Sequence, residues 1–474
     1  MPESIKTDIC VIGAGSGGLT VAAVAAQLGA DTVLIERGAM GGDCLNTGCV
    51  PSKALLAAAH RAGDIRGAGA FGITAGAPQI SGPGVNAHVI GAIAKIAPHD
   101  SVERFEAFGV RVIEAEARFT GPAEVAAGDR RIRARRFVIA TGSSPLLPPI
   151  EGLVDTPYLT NENLFQLTEV PDHLIIIGGG PIGMEIAQAY RLLGARVSVI
   201  EMMRALGGDD PELVEVVKSA IAGDGVEIYE GARVDRVAPA GAGVAAEFTT
   251  SGAARRIEGT HLLVAAGRRP NLEGLGLDAA GVRTTPKGIE VSRSLRTSNR
   301  RVYAVGDVAG DQQFTHIAAY HAGIFIRNAL FRMPAKIDRR AYVRVTYTRP
   351  ELAQVGLTEA EARAAGVAVK IVRWPFGEND RAVAEGESDG LIKLVIGPGK
   401  KILGAGIVGR QAGELIQVWG LAISANLRLG KVAGAIQPYP TLGEASKRAA
   451  GEYFTPALFG PKTRAVVKFL SLFG

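Results

Sequence analysis

Residues 8–36 read DICVIGAGSGGLTVAAVAAQLGADTVLIE, and residues 173–201 read HLIIIGGGPIGMEIAQAYRLLGARVSVIE. Each passes from an apolar strand through a G-x-G-x-x-G turn into a helical stretch, then into a second apolar strand ending in Glu. One offset superposes them: Gly13, Gly15, Gly18 and Glu36 map onto Gly178, Gly180, Gly183 and Glu201, each 165 residues later. In such a turn the first glycine permits the tight bend, the second lets backbone approach a pyrophosphate, and the third lets helix and strand pack closely. The helix start then offers free N–H groups and the positive end of its dipole to phosphate. Glu36 and Glu201, each 18 positions after the third glycine, stand where ribose hydroxyls donate to a carboxylate. A lone fingerprint is a weak signal. Two, each between a strand and a helix, predict two Rossmann-like dinucleotide-binding folds.

Each repeat has a companion strand. RRFVIATG (135–142) and HLLVAAGRRPN (261–271) are apolar runs ending in glycine, and VYAVGDVAG (302–310) is a third. Proline-rich SSPLLPPIEG (143–152) reads as a crossing between domains. Beyond about residue 340, strand-like YVRVTYT and LIKLVIG join helical TEAEARAAG and AGELIQVWGLAISANLRLG, with no further glycine fingerprint. The expected fold class is α/β: two Rossmann-like nucleotide-binding domains, 1–150 with 271–338 and 151–270, plus a C-terminal α+β domain, 339–474. Composition agrees: 62 of 474 residues are glycine, against a usual ~7%, and they gather in tight loops between apolar runs. The net charge of +5 comes with no Lys/Arg block carrying spaced aromatics, so no nucleic-acid partner is expected. There is no signal-peptide pattern and no long apolar run, so a cytoplasmic enzyme is expected.

The three cysteines are Cys10, Cys44 and Cys49. Cys10 sits in the first apolar strand and reads as core. The others share GGDCLNTGCVPSKALLAAA (41–59), five apart, with Asn46 and Gly48 supplying bend and Pro51 suiting an early helix position. A thiol at a helix start has a lowered pKa, and the thiolate is the nucleophile of thiol–disulfide exchange. A zinc site would need about four ligands, which this stretch does not offer. The pair therefore reads as a redox centre able to close a disulfide if its Cα separation allows.

In order along the chain, VIGAGSGG, GGDCLNTGCVPSK, ATGSSP, GGGPIGME, AAGRRPN, YAVGDVAG and PYPTLGE resemble the class I pyridine nucleotide–disulfide oxidoreductases, which include dihydrolipoyl dehydrogenase, glutathione reductase and mercuric reductase. The resemblance covers essentially the whole chain. It implies FAD at the first fingerprint, a nicotinamide nucleotide at the second, and a homodimer whose C-terminal domain completes the partner's site. Gly42, Lys53, Thr141, Gly142, Gly267, Gly306 and Asp307 would join the fingerprint residues in holding the cofactors, with Asp307 at the flavin ribityl-phosphate region. Cys49 would face the flavin, Cys44 would be the outer interchange thiol, and Lys53 would pair with Glu185 near the flavin. Electrons would run from NAD(P)H through FAD to the pair and on to a small-molecule acceptor: a disulfide, a metal or another electrophile.

The chain also departs from this pattern. Dihydrolipoyl dehydrogenases and glutathione reductases carry His-Pro-Thr followed by Glu, whereas here the string is Tyr439-Pro440-Thr441-Leu442-Gly443-Glu444. A phenol with pKa near 10 is a poorer base at neutral pH than imidazole near 6.5. Mercuric reductases share a Tyr at that point but end in a vicinal cysteine pair, and no cysteine follows Cys49 here. Tyr439 and Glu444 remain candidate catalytic residues, and His316 or His321 in FTHIAAYHAG is a candidate for the missing base, a structural role being expected first. Glu201 favours NADH, with NADPH the alternative through nearby Arg204. Pro181 stands where glutathione reductases place an aromatic gate. The tail FGPKTRAVVKFLSLFG (459–474) is expected to pack its apolar face on the protein or a dimer partner, a membrane surface being the second reading. Mercuric reductase-like and dihydrolipoyl dehydrogenase activities are the nearest alternatives. A redox sensor or membrane-surface nucleotide-binding protein without turnover is the alternative from another class.

Overall fold

The computed structural model describes residues 3–473. By compactness the chain divides into two units. The first comprises Met1–Gly178, Ala189–Met202 and Ala232–Ile337, and the second Gly179–Gln188, Met203–Gly231 and Asp338–Gly474.

In the first unit the strand Glu3–Ile12 lies at the middle of a mostly parallel sheet. On one side it pairs with Thr32–Glu36, which pairs in turn with Val110–Glu114. On the other it pairs with Arg130–Ile139, followed by antiparallel Glu124–Ala127 and Ala117–Gly121. Val302–Ala304 adds to Arg130–Ile139 in parallel. Ile9, Cys10, Val11 and Ile12 are all buried, as expected of a parallel strand covered on both faces, so Cys10 is core as read from sequence. Phe119 and Phe137 meet edge to face in the cluster beneath this sheet.

The second fingerprint repeats the arrangement. His173–Ile177 pairs in parallel with Arg196–Ile200 on one side and His261–Val264 on the other. The two companion strands read from sequence thus hold equivalent places: Arg130–Ile139 and His261–Val264 each lie directly beside the strand that feeds a glycine turn. An antiparallel sheet of Ala232–Ala240, Gly243–Thr250 and Ala253–Gly259 accompanies them.

The C-terminal part of the second unit is an antiparallel sheet in the order Val343–Thr346, Glu351–Gly356, Lys401–Gly409, Leu391–Gly397, Lys370–Pro375. Helices Gln417–Ser424 and Glu444–Glu452 contribute to its core, where Trp419 is fully buried and donates its indole N–H to Ser446 at 3.2 Å. The tail forms the helix Pro461–Leu470, and its residues are exposed along nearly the whole length. No described residue of the tail is buried within the chain, and the carbons that packing on the protein would cover lie open. No helix of the described residues is long and apolar enough to cross a membrane.

Candidate active site

The first glycine turn joins Glu3–Ile12 to the helix Ser16–Gln27. Gly13 takes φ +104°, and a Cβ there would stand 2.5 Å from the Ala140 carbonyl oxygen, so only glycine fits. Gly178 repeats this with φ +111° and 2.4 Å to the carbonyl oxygen of Ala265. The middle glycines differ in kind. At Gly15 and at Gly180 a Cβ would meet nothing within 4 Å, so the space above each is open. The helix that begins after Gly15 has no side-chain cap and no acidic residue in its first turn. An open approach to uncapped N–H groups is what a pyrophosphate requires, and the first turn fits a dinucleotide such as FAD. Glu36 closes the loop by accepting the N–H groups of Ala14 and of Gly38, the latter at 2.7 Å. Gly183 lies inside the helix Pro181–Leu192, with Pro181 at its first position, and Glu201 follows the strand Arg196–Ile200.

The cysteine segment lies directly against the first turn. Gly41 and Gly42 both have positive φ, and a Cβ on Gly42 would stand 2.7 Å from the Cα of Gly15. The short helix Gly42–Asn46 holds Cys44, and Cys49 is the first residue of the helix Cys49–Gly67. Cys44 is half-buried and Cys49 exposed, both as free thiols. The Cys49 sulfur lies 3.2 Å from the hydroxyl of Thr315, the first residue of the helix Thr315–Ala329.

These neighbours make the two sulfurs unequal. Cys49 is lowered to about 6, first by a hydrogen bond from the Cys44 thiol, then by the Thr315 hydroxyl and the charge of Lys53, with burial and, less strongly, Asp43 opposing. Cys44 is pushed far up, because it donates that bond and is then further penalised by burial. At neutral pH the pair therefore carries one thiolate, on Cys49, and one thiol, on Cys44. Lys53 sits one turn into the helix, with its Nζ 3.4 Å from the Ser52 hydroxyl.

Asp43 anchors the segment. Its Oδ1 accepts from Thr47 at 2.7 Å and from Asn161 at 2.8 Å, and its Oδ2 forms an ion pair with Arg268 at 3.2 Å. Arg268, largely buried, also donates to the hydroxyl and carbonyl oxygens of Ser143 at 2.8 and 2.7 Å. The Ser143 hydroxyl then donates to Asp307 at 2.6 Å. Burial raises the Asp307 carboxyl, and the Ser143 and Arg268 contacts hold it down. One polar chain thus links the cysteine segment, ATGSSP, AAGRRPN and the GDV turn. All four strings are legible in the sequence, but their pattern singles out neither Ser143 nor Arg268, and it does not reach Asp43, Asn161 or Thr315, although Thr315 stands beside His316.

The remaining candidates have definite partners. The Thr141 hydroxyl donates to the Asn271 carbonyl at 2.8 Å, and the Asn271 side chain returns a bond to the Thr141 carbonyl. Gly142 and Gly267 have positive φ and flank the ribbon of Ser143–Pro145 with Arg268–Pro270. The Gly306 N–H donates to Nδ1 of His321 at 3.2 Å, and Nε2 of that fully buried ring stands 3.9 Å from Asp311. His321 is thus a structural residue of the GDV turn, while His316 is exposed and stacks on Phe314. In the second unit, Glu185 is buried and accepts the Tyr347 N–H at 2.9 Å. Tyr439 is exposed, and its hydroxyl donates to Asp380 at 2.8 Å. Glu444 accepts instead from Arg448, one turn along its own helix, at 2.8–2.9 Å. The phenol and Glu444 are therefore each engaged elsewhere and form no Tyr–Glu hydrogen bond.

Residues 7–324 match the family described as pyridine nucleotide-disulphide oxidoreductase, and residues 342–450 match its dimerisation domain. A mercuric reductase of Staphylococcus aureus is 35% identical over 450 residues, 94% of this chain and 82% of that protein. A dihydrolipoyl dehydrogenase of Staphylococcus aureus is 34% identical over 454 residues, 94% and 96% of the two chains. Among solved structures, the Cu(II) complex of the HOCl-induced flavoprotein disulfide reductase RclA from Escherichia coli superposes with a TM-score of 0.83 at 25% identity, covering 93% of this chain and 99% of that one.

Proposed function

Because this chain belongs to the pyridine nucleotide-disulphide oxidoreductase family and is an oxidoreductase of that class, we propose that Cys44 and Cys49 deliver electrons from NADH to a thiophilic acceptor, a soft metal ion first. The observation that carries this reading is the engagement of Tyr439 by Asp380 and of Glu444 by Arg448. Oxidising a dithiol substrate requires a base to take its proton, and a phenol held by a carboxylate is raised further from that task. A soft metal ion needs no such base, since thiolates bind it directly. Capture falls on the Cys44–Cys49 pair, whose sulfurs are half-buried and exposed at the start of the helix Cys49–Gly67. A mercuric reductase and a copper-bound disulfide reductase stand among the relatives beside a dihydrolipoyl dehydrogenase.

A bound FAD supplies the two-electron relay between the nicotinamide and the pair. The protein's own part is to hold Cys49 as thiolate through Cys44, Thr315 and Lys53. It keeps the companion proton on Cys44 and fixes the segment through Asp43. When a metal ion is captured, its charge displaces the Cys44 proton to water, and both sulfurs bind it as thiolates. Return of the pair to a disulfide then gives up two electrons, enough to take Hg(II) to Hg(0) or two Cu(II) to two Cu(I). The carboxylate of Glu201 favours NADH by repelling a 2′-phosphate. The family's dimerisation domain supports a homodimer. A cytoplasmic setting, where thiols are kept reduced, suits the pair.

The test is NADH and NADPH oxidation by the purified yellow holoenzyme with Hg(II), Cu(II), lipoamide and glutathione disulfide as acceptors. Metal-dependent turnover with NADH, lost in Cys44→Ser and in Cys49→Ser, is the expected result. Faster turnover with lipoamide than with either metal would make it a dihydrolipoyl dehydrogenase instead, and no turnover with any acceptor would favour a sensor.

A further inference from the structure

We propose that the C-terminal helix Pro461–Leu470 seats the enzyme on an anionic lipid surface. The inference is independent of which acceptor the cysteines serve. Val466, Val467, Phe469 and Leu470 are each more than half exposed, and Phe473 folds its ring back onto Phe469 with centroids 5.2 Å apart. At 3.6 residues per turn these four apolar side chains fall on one side of the helix. Arg464 and Lys468, one turn apart, fall on the other. Lys462, one turn before Val466 and so on the apolar side, adds a third cation at the start of the helix, from where its long stem carries the ammonium to the headgroups, and no Asp or Glu occurs from Tyr453 to Gly474.

Charge decides between the occupants such a face could take. A helix with an apolar side, a cationic side and no acidic residue has the pattern of one lying in a lipid headgroup layer. There the apolar side chains enter the acyl boundary, and each Lys or Arg near an anionic surface adds electrostatic attraction. A second copy of the same helix would bring like charges together, and Lys is depleted in the cores of protein interfaces. The segment matching the family's dimerisation domain ends at residue 450, before this helix begins. At ten residues the helix is about 15 Å long, too short to cross a hydrocarbon core of about 30 Å, so it lies on the surface.

The experiment is co-sedimentation of the full-length holoenzyme with vesicles of phosphatidylcholine alone and of phosphatidylcholine with phosphatidylglycerol. It includes the wild type, Val466→Asp with Phe469→Asp, and Arg464→Glu with Lys468→Glu. Flavin content and circular dichroism confirm that each variant is folded. The wild type should pellet with the anionic vesicles and be released by salt. Both double variants should bind about tenfold more weakly or worse. Absence of wild-type pelleting at low salt, or equal pelleting of the Val466→Asp/Phe469→Asp variant, overturns the proposal. A shift of that variant from dimer to monomer in sedimentation velocity also overturns it, by assigning the face to a second copy.

Discussion

Cys49 owes its acidity to three neighbours that act in the same direction, and the Cys44 thiol contributes most. A hydrogen bond to the charged form favours that form, so removing the donor must raise the pKa. In the reduced enzyme, alkylation of Cys49 should rise with a midpoint near pH 6 and level off above it, because the thiolate predominates above its pKa. Cys44→Ala should move the midpoint upward by about one unit or more, and Thr315→Val should move it less. An unmoved midpoint in Cys44→Ala, followed by mass spectrometry of the modified peptide, would refute this origin. Tyr439 gives a second residue-scale expectation. Tyr439→His places an imidazole where a phenol now donates to Asp380, so NAD⁺-dependent oxidation of dihydrolipoamide should rise about tenfold or more. A rate that stays flat would mean the missing base is not what limits dithiol turnover. The cysteines themselves were legible because their spacing and the helix-starting Pro51 are local features. Asp43 was not legible as an anchor: its partners Asn161 and Arg268 lie more than a hundred residues away in sequence, and only the fold brings them together.

At the scale of elements, the glycine turns separate two jobs that look alike in sequence. Gly13 is required by the protein's own backbone, since a Cβ would collide with the Ala140 carbonyl. Gly15 is not, since its φ is ordinary and a Cβ there touches nothing. Gly15→Ala should therefore leave the apoprotein folded, with thermal stability changed by about 1 kcal/mol or less. It should weaken FAD binding about tenfold or more, the extra methyl taking the space a pyrophosphate would enter. Gly13→Ala should lose folding and flavin together. Flavin absorbance per chain, read beside circular dichroism melting, distinguishes the two. If Gly15→Ala retains full flavin, the first turn is not the pyrophosphate cradle. The paired sheets were readable because periodicity and the 165-residue offset are sequence properties. The ribbon of Ser143–Pro145 with Arg268–Pro270 was not, since three-residue strands carry too little pattern to announce their pairing.

At the scale of the whole molecule, Met203–Gly231 and the C-terminal sheet fall in one compact unit. A buried cation explains the grouping. Lys393, in the strand Leu391–Gly397, is almost inaccessible, and its Nζ reaches Asp210 at 2.9 Å, Glu212 at 2.9 Å and Glu359 at 3.1 Å. Asp210 also caps the helix Pro211–Gly223, so the same carboxylate starts a helix and holds the sheet to it. No sequence pattern announces such a cluster, because a lysine in an apolar strand reads as a solvent-facing residue until its partners are placed. Glu212 is lowered to about 2, by Arg373 first and then Lys393, and Glu359 is lowered chiefly by Lys393. A carboxyl depressed in the folded state contributes stability that is present above its unfolded pKa, near 4.5, and lost as pH falls toward the folded value. The unit should therefore lose stability between about pH 4.5 and 2. Lys393→Met leaves Asp210 buried without its cation and should destabilise the unit by about 3 kcal/mol at pH 7. The deficit should narrow as pH falls and Glu212 and Glu359 protonate, because part of the uncompensated charge then disappears. Urea unfolding of both proteins at pH 7 and pH 4 measures this, and a deficit that stays constant between them would assign Lys393 a packing role rather than an electrostatic one.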